Sequence, residues 1–185
     1  NDAGLNADGI YGNSINFEGL GTEESPYLIN NLNDLKFFRN NVDKQAQDGS
    51  TQYAGKYFKL TADIDLAGIN WNPIGSKTGE HASFKGVFDG DNHIISNLYV
   101  EQAGEGLGLF AYTSGNAVIK NLKLNNVTVK STNNSSYVGG VVGNAYASTK
   151  IENVHISGDV QISGRGYIGG IAGHGYVVMD NVSVV

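Results

Sequence analysis

Four times the chain repeats one unit, apolar-x-Asn-apolar-x-apolar. It occurs as Ile95-Ser-Asn97-Leu98-Tyr-Val100, Ile119-Lys-Asn121-Leu122-Lys-Leu124, Ile151-Glu-Asn153-Val154-His-Ile156 and Met179-Asp-Asn181-Val182-Ser-Val184. The intervals between these asparagines are unequal, and the first, from Asn97 to Asn121, is the shortest. A second unit precedes each of the last three: Gly106-Leu-Gly-Leu-Phe110, Tyr137-Val-Gly-Gly-Val-Val-Gly143 and Tyr167-Ile-Gly-Gly-Ile-Ala-Gly173. A degenerate form, Phe84-Lys-Gly-Val-Phe88-Asp-Gly90, precedes the first. Repetition at a few tens of residues constrains the fold more than any other feature. One such unit cannot bury its own apolar face, and stacked neighbours complete the core.

Glycine and β-branched residues dominate the repeat, and both disfavour helix. Leu122-x-Leu124, Val154-x-Ile156 and Val182-x-Val184 alternate with the period of a strand buried on one face. The asparagine interrupts that alternation, because both its neighbours are apolar and seek the same interior. A one-residue corner satisfies them, and Asn tolerates the left-handed conformation better than other non-glycine residues. Asn97, Asn121, Asn153 and Asn181 are therefore expected to be structural corners, stacked so that their amides form a ladder. Turns of this length with short strands and corners predict an all-β, parallel β-helix, with about five rungs over residues 55–185. Segments 130–136 and 145–150 read as surface loops. Around Gly139-Gly140 both faces look apolar, for which a bulge is the expected solution.

The N-terminal part of the chain differs. Phe17 to Ile29 reads as strand, loop, strand, and Asn31 is placed to cap a helix that carries Leu32, Leu35, Phe38 and Val42 on one face. Residues 1–55 are thus expected to cap a solenoid formed by residues 56–185, the two making one structural domain. The start, Asn1-Asp-Ala-Gly, reads as that of a mature or excised piece. Val185 falls inside a repeat, so either further chain or another molecule is expected to cover that end, with self-association there as one outcome.

Composition narrows the function classes. The net charge is −6 and no basic run occurs, which argues against nucleic-acid binding and a polybasic membrane patch. With no cysteine, disulfide scaffolds, zinc-cysteine sites and cysteine nucleophiles are excluded. No apolar run approaches the roughly 18 residues of a membrane span. The 26 glycines lack a G-X-Y period, which excludes collagen.

Gly108-Leu-Phe, Gly140-Val-Val-Gly143 and Gly170-Ile-Ala-Gly173 resemble the GLUG motif, glycine-aliphatic-hydrophobic-glycine. That motif recurs in bacterial surface adhesins and beside bacterial IgA-specific metallopeptidases. The upstream pieces are similar to the leader that often precedes such repeats: Gly21-Thr-x-x-Ser-Pro-Tyr-Leu-Ile29, Tyr57 to Leu66, Trp71-Asn-Pro-Ile-Gly75, Phe84-x-Gly-x-Phe-Asp-Gly90 and His93-Ile-Ile-Ser-Asn-Leu98. Gly108-Leu-Phe-Ala111 departs from the motif by ending in Ala. The resemblance covers about residues 17–185 and implies an extracellular right-handed β-helix of a large surface protein. It supplies no catalytic residues to transfer.

Candidate chemistry is sparse. The residues before the corner asparagines are Ser96, Lys120, Glu152 and Asp180, so Glu152 and Asp180 are the candidate carboxylate pair of a hydrolytic face. A solvated face with a Lys120–Glu152 ion pair is the favoured alternative. Asp89-Gly-Asp91-Asn-His93 could feed a cation or position His93 as an acid–base group, yet that composition more often makes a turn. Asp63 and Asp65 flank an inward Ile64 and are expected to bond a corner. Asn6-Ala-Asp8-Gly9 faintly echoes a calcium loop but lacks its opening aspartate. His81, His93, His155 and His174 share no metal spacing. No metal and no cofactor is therefore expected. Regular Thr-x-Thr columns of an ice-binding face do not occur.

The aromatics are more suggestive. Counted from Gly143 and Gly173, Tyr137 and Tyr167 fall in register, as do Tyr146 and Tyr176. Stacked tyrosines on a solenoid wall could hold sugar rings or a partner protein, or simply stabilise one another. The reading is a non-catalytic adhesive or structural module of a secreted or cell-surface bacterial protein, binding an extracellular glycan or protein. The rivals are a polysaccharide lyase or hydrolase, and an accessory segment of a surface metallopeptidase.

Overall fold

The structure is a computed structural model that describes residues 17–48, 53–75, 83–134 and 136–185. In chain order the elements are Tyr27–Ile29 (β1), the helix Leu32–Asp48 (α1), Tyr57–Leu60 (β2), Ile64–Asp65 (β3), Val87–Asp89 (β4), Ile94–Gln102 (β5) and Gly106–Leu107 (β6). There follow Phe110–Thr113 (β7), Val118–Ser131 (β8), Tyr137–Gly139 (β9), Val142–Ser163 (β10), Tyr167–Gly169 (β11) and Ala172–Val184 (β12). The strands wind into a parallel β-solenoid of about five turns. Its main sheet runs β1-β2-β4-β8-β10-β12, joined by β3, β5 and β7, and a second sheet runs β6-β9-β11. Parallel pairing between successive coils requires a long crossover, which here is the rest of each turn.

Stacking sets identical interior columns. Phe58 pairs with Phe88, Phe88 with Ile119, Ile119 with Ile151 and Ile151 with Met179. Leu122, Val154 and Val182 form a second column, and Ile64, Ile95, Leu124, Ile156 and Val184 a third. Side chains in these columns are buried through the middle coils. Each fully buried Val, Leu or Ile contributes roughly 1.5–3 kcal/mol, so the core is built by repetition.

Helix α1 closes one end of the described core. The Asn31 Oδ1 accepts the Asp34 N–H at 3.0 Å, and the Asp34 carboxylate reaches back to the Asn30 N–H at 2.8 Å. These bonds satisfy donors that a helix start leaves open. Leu35, Phe38 and Val42 face inward and are buried. Phe38 lies among Phe58, Phe84 and Phe88, with ring centroids 4.5, 5.5 and 5.6 Å away. Arg39 sets its guanidinium over the Trp71 ring at 4.8 Å, and the buried Trp71 indole donates to the Leu109 carbonyl.

Two expectations about local geometry are corrected. No bulge forms at Gly139-Gly140. The chain turns a corner there, β9 ending at Gly139 in the small sheet and β10 starting at Val142 in the large one. That turn lets both Val141 and Val142 point into the core. Segments 130–136 and 145–150 also hold more strand than expected. Lys130 and Ser131 finish β8, and only Tyr146 to Ser148 interrupt the register between β10 and β12.

Candidate functional site

The corner asparagines organise the surface. Asn97, Asn121, Asn153 and Asn181 have φ of 58°, 51°, 50° and 49°, the left-handed region in which a non-glycine residue turns the chain. They do not form one column, as the repeat suggested. Asn181 donates to Asn153 at 2.6 Å, Asn153 to Asn121 at 3.1 Å, and Asn121 to the Asp89 carboxylate at 3.0 Å. Asn97 belongs to a second ladder. Asn126 donates to it at 3.1 Å and it donates to the Asp65 carboxylate at 2.8 Å, while the Asp159 N–H bonds Asn126 at 3.1 Å. In the coil of Asn97, the first-corner place is taken by the Asp91-Asn92 turn, both residues also left-handed, with the Asn92 N–H on the Asn121 carbonyl.

The spacings carried the missed signal. The step from Asn97 to Asn121 is shorter than any between bonded ladder side chains, which lie 28 to 32 apart in the sequence. The short interval marks a change of corner. Each ladder ends on an aspartate because a carboxylate only accepts, so Nδ2 donors can run in one direction down the stack. Bonding by Asn97 and then by the Ala67 N–H holds the Asp65 carboxyl below its usual value.

The acidic clusters are turns and corners. Asp89 accepts the Asp91 N–H and the His93 N–H bonds the Gly90 carbonyl, which closes the Asp-Gly-Asp-Asn tract into a turn. Asp63 accepts the Ile94 N–H at 2.9 Å and faces His93 Nδ1 at 3.1 Å, and these two bonds lower its pKa. Lys120 does not reach Glu152. Its ammonium stands 3.6 Å from Asp89, and Glu152 is paired with Lys150 on its own strand. Glu152 and Asp180 are adjacent in register. His155 bonds Ser183, and His174 faces the Asn144 amide oxygen. Among the described residues, no group of three or more His, Cys, Asp or Glu side chains could hold a metal ion. Asn6, Asp8, Gly9 and His81 lie outside the described residues.

The Gly-rich units raise the tyrosines into a wall. A Cβ on Gly140 would come within 2.5 Å of the Ile156 side chain and 2.6 Å of the Gly170 carbonyl, and one on Gly143 would strike the Leu107 backbone. These glycines allow neighbouring coils to approach at the corner. On the outer side Tyr137 and Tyr167 stack at 5.5 Å and 23°, with His174 packed on both at 4.8 and 4.9 Å. Tyr146 stacks at 5.1 Å and 10° on Tyr112, a ring the sequence reading did not include. Burial pushes the Tyr112 hydroxyl pKa up, with Tyr146 and Glu105 adding to it. Tyr146, Tyr167 and Tyr176 are 56%, 59% and 76% exposed. Tyr176 follows Gly175, which pairs with Ala145 just before the register between β10 and β12 shifts.

Known proteins give the geometry a context. Residues 134–161 match the family model of the GLUG motif, which includes the corner at Gly140–Gly143. Halomucin of Haloquadratum walsbyi is 34% identical over 167 residues, 85% of this chain and 2% of halomucin. A Gly-rich protein of Evansella cellulosilytica, provisionally described as a membrane protein, is 30% identical over 145 residues, 75% of this chain and 15% of that protein. The chain thus spans a small fraction of the curated relatives it matches. The crystal structure of a Bacteroides ovatus protein, provisionally described as an immunoglobulin A1 protease, shares the fold. Its TM-score is 0.61 at 23% identity, covering 89% of this chain and 58% of that one. No helix among the described residues is long and apolar enough to cross a membrane.

Proposed function

We propose that this chain is a non-catalytic adhesive module of a secreted or cell-surface protein, and that its tyrosine wall binds extracellular glycan or protein. The observation that carries the reading is the exposure of Tyr146, Tyr167 and Tyr176 on the wall built by the GLUG segment and the coil after it. A folded chain gains little from large exposed rings, whereas a binding surface uses them as rigid amphipathic contacts. The buried Tyr112 and the half-buried Tyr137 support the outer rings from beneath. A stiff rod presenting such contacts over several coils gains avidity from repetition. The relation to a Gly-rich protein described as a membrane protein supports a surface location.

Arrays of glycans and matrix proteins, probed with the whole chain, test the reading. Binding to a defined subset is expected, and the members held by the tyrosine wall are those lost in Tyr146→Ala/Tyr176→Ala. No binding at high concentration would overturn it and leave a spacer role.

A further inference from the structure

A second surface lies away from the tyrosine wall. Outside the corner that holds the Asn97 ladder runs an open groove of about 510 Å³, within the size range of ligand sites. It crosses four successive coils, from Gly68 through Asn97 and Tyr99, then Asn126 and Thr128, to Asp159. At about 4.8 Å per coil its length is roughly 14 Å.

The floor is a row of amides. Asn97 and Asn126 each commit one Nδ2 hydrogen to the ladder, and each amide carries two. The second N–H of each is not used in the ladder, and Thr128 lines the same groove. Tyr99 forms one wall. It is 38% exposed, and its ring is fixed by a hydrogen bond from its hydroxyl to the Glu101 carboxylate. At the end of the groove Gly68 presents no side chain, and a Cβ there would meet nothing within 4 Å.

These features select a ligand chemistry. No lysine or arginine lines the groove among the described residues, and Asp159 borders it, so an acidic polymer is disfavoured. A peptide adding as a strand would need an open backbone edge. Beside Tyr99 that edge is closed by the Asn70 side chain, which accepts the Glu101 N–H and donates to the Glu101 carbonyl, both at 3.0 Å. An aromatic face beside repeated planar amides and a hydroxyl suits pyranose rings, whose apolar faces stack and whose hydroxyls both donate and accept.

We infer that this groove is a binding cleft for a neutral oligosaccharide laid along the solenoid axis. The inference rests on the reading of the chain as an extracellular binding module but uses none of the wall tyrosines.

Affinity electrophoresis of the whole chain in gels containing dextran, laminarin, mannan or polygalacturonate tests it. At least one neutral glycan is expected to retard the protein, and polygalacturonate to have no effect. Thr128→Arg, which fills the groove from its floor, and Tyr99→Ala are each expected to weaken that binding at least tenfold at an unchanged melting temperature. Should Tyr99→Ala lower the melting temperature, Thr128→Arg alone decides. Tyr146→Ala/Tyr176→Ala should retain the binding. Retardation by polygalacturonate as strong as by the neutral glycans, full retention in Thr128→Arg, or no retardation by any neutral glycan would overturn the cleft. Loss in the tyrosine variant with retention in Thr128→Arg would also overturn it, while leaving the tyrosine wall standing.

Discussion

The two ends of this solenoid use the same winding with different side chains. Near α1 the interior is aromatic: Phe38, Phe58, Phe84, Phe88 and Phe110 form a continuous ring cluster with Trp71 buried beside it. From Ile119 onward the same columns are filled by Ile, Leu, Val and Met179, and the aromatics move to the outer wall. The difference follows from what each coil must meet. Coils stacked on like coils need only aliphatic layers of matching shape. The coils under α1 must fill the irregular space between a sheet and a helix, which large rings do well. So the aromatic residues hold the structure together at one end and face solvent at the other.

Breaking the aromatic end should have the largest effect. Phe38→Ala removes the ring that α1 inserts into the cluster and is expected to cost about 3–5 kcal/mol, read by denaturant unfolding. Ladder positions should matter less. Asn153 sits between two coils, donating to Asn121 and accepting from Asn181. Asn153→Ala is expected to cost about 1–3 kcal/mol, from lost hydrogen bonds and a left-handed residue. Asn153→Gly should recover the backbone part and not the ladder part. Asn181 has one ladder bond, as donor to Asn153, and the same left-handed backbone, so Asn181→Ala should cost less than Asn153→Ala by about one ladder bond. Equal losses at both sites would show that the ladder does not act coil by coil.

A smaller effect concerns acid. Asp65 titrates below its usual value because the Asn97 amide and the Ala67 N–H bond its charged form. Its folded value lies under its unfolded one, so the stabilisation is present above about pH 4 and is lost as pH falls through the folded value. Thermal melts at pH 7 and pH 3 should show a smaller acid loss in Asp65→Asn than in the parent chain.

Much of this architecture was legible, and the illegible part has physical causes. The parallel solenoid and the α1 face of Leu35, Phe38 and Val42 followed from periodicity, because burial on one face leaves a regular trace. The membership of Asn97 in a second ladder was hidden because both corners use the same residue for the same left-handed turn. Only the short step from Asn97 to Asn121, and the placing of Asn126 one coil length after Asn97, distinguished them. The Lys120–Asp89 pair and the Tyr112–Tyr146 stack depend on which coil lies beneath, which spacing within one repeat does not encode. Tyr112 carried a faint trace: it follows Gly108-Leu-Phe-Ala111 as Asn144 follows Gly140-Val-Val-Gly143.

The central claim is that aromatic residues stabilise one end and serve binding at the other. It is tested by measuring melting temperature and glycan or matrix-protein binding together, on Phe38→Ala and on Tyr146→Ala/Tyr167→Ala/Tyr176→Ala. Exposed cross-strand rings contribute at most about 1 kcal/mol per pair, so the tyrosine variant should melt close to the parent chain and lose the ligands held by the wall. Phe38→Ala should melt far lower and, where still folded, bind as the parent does. A tyrosine variant that binds normally and melts as low as Phe38→Ala would contradict the claim.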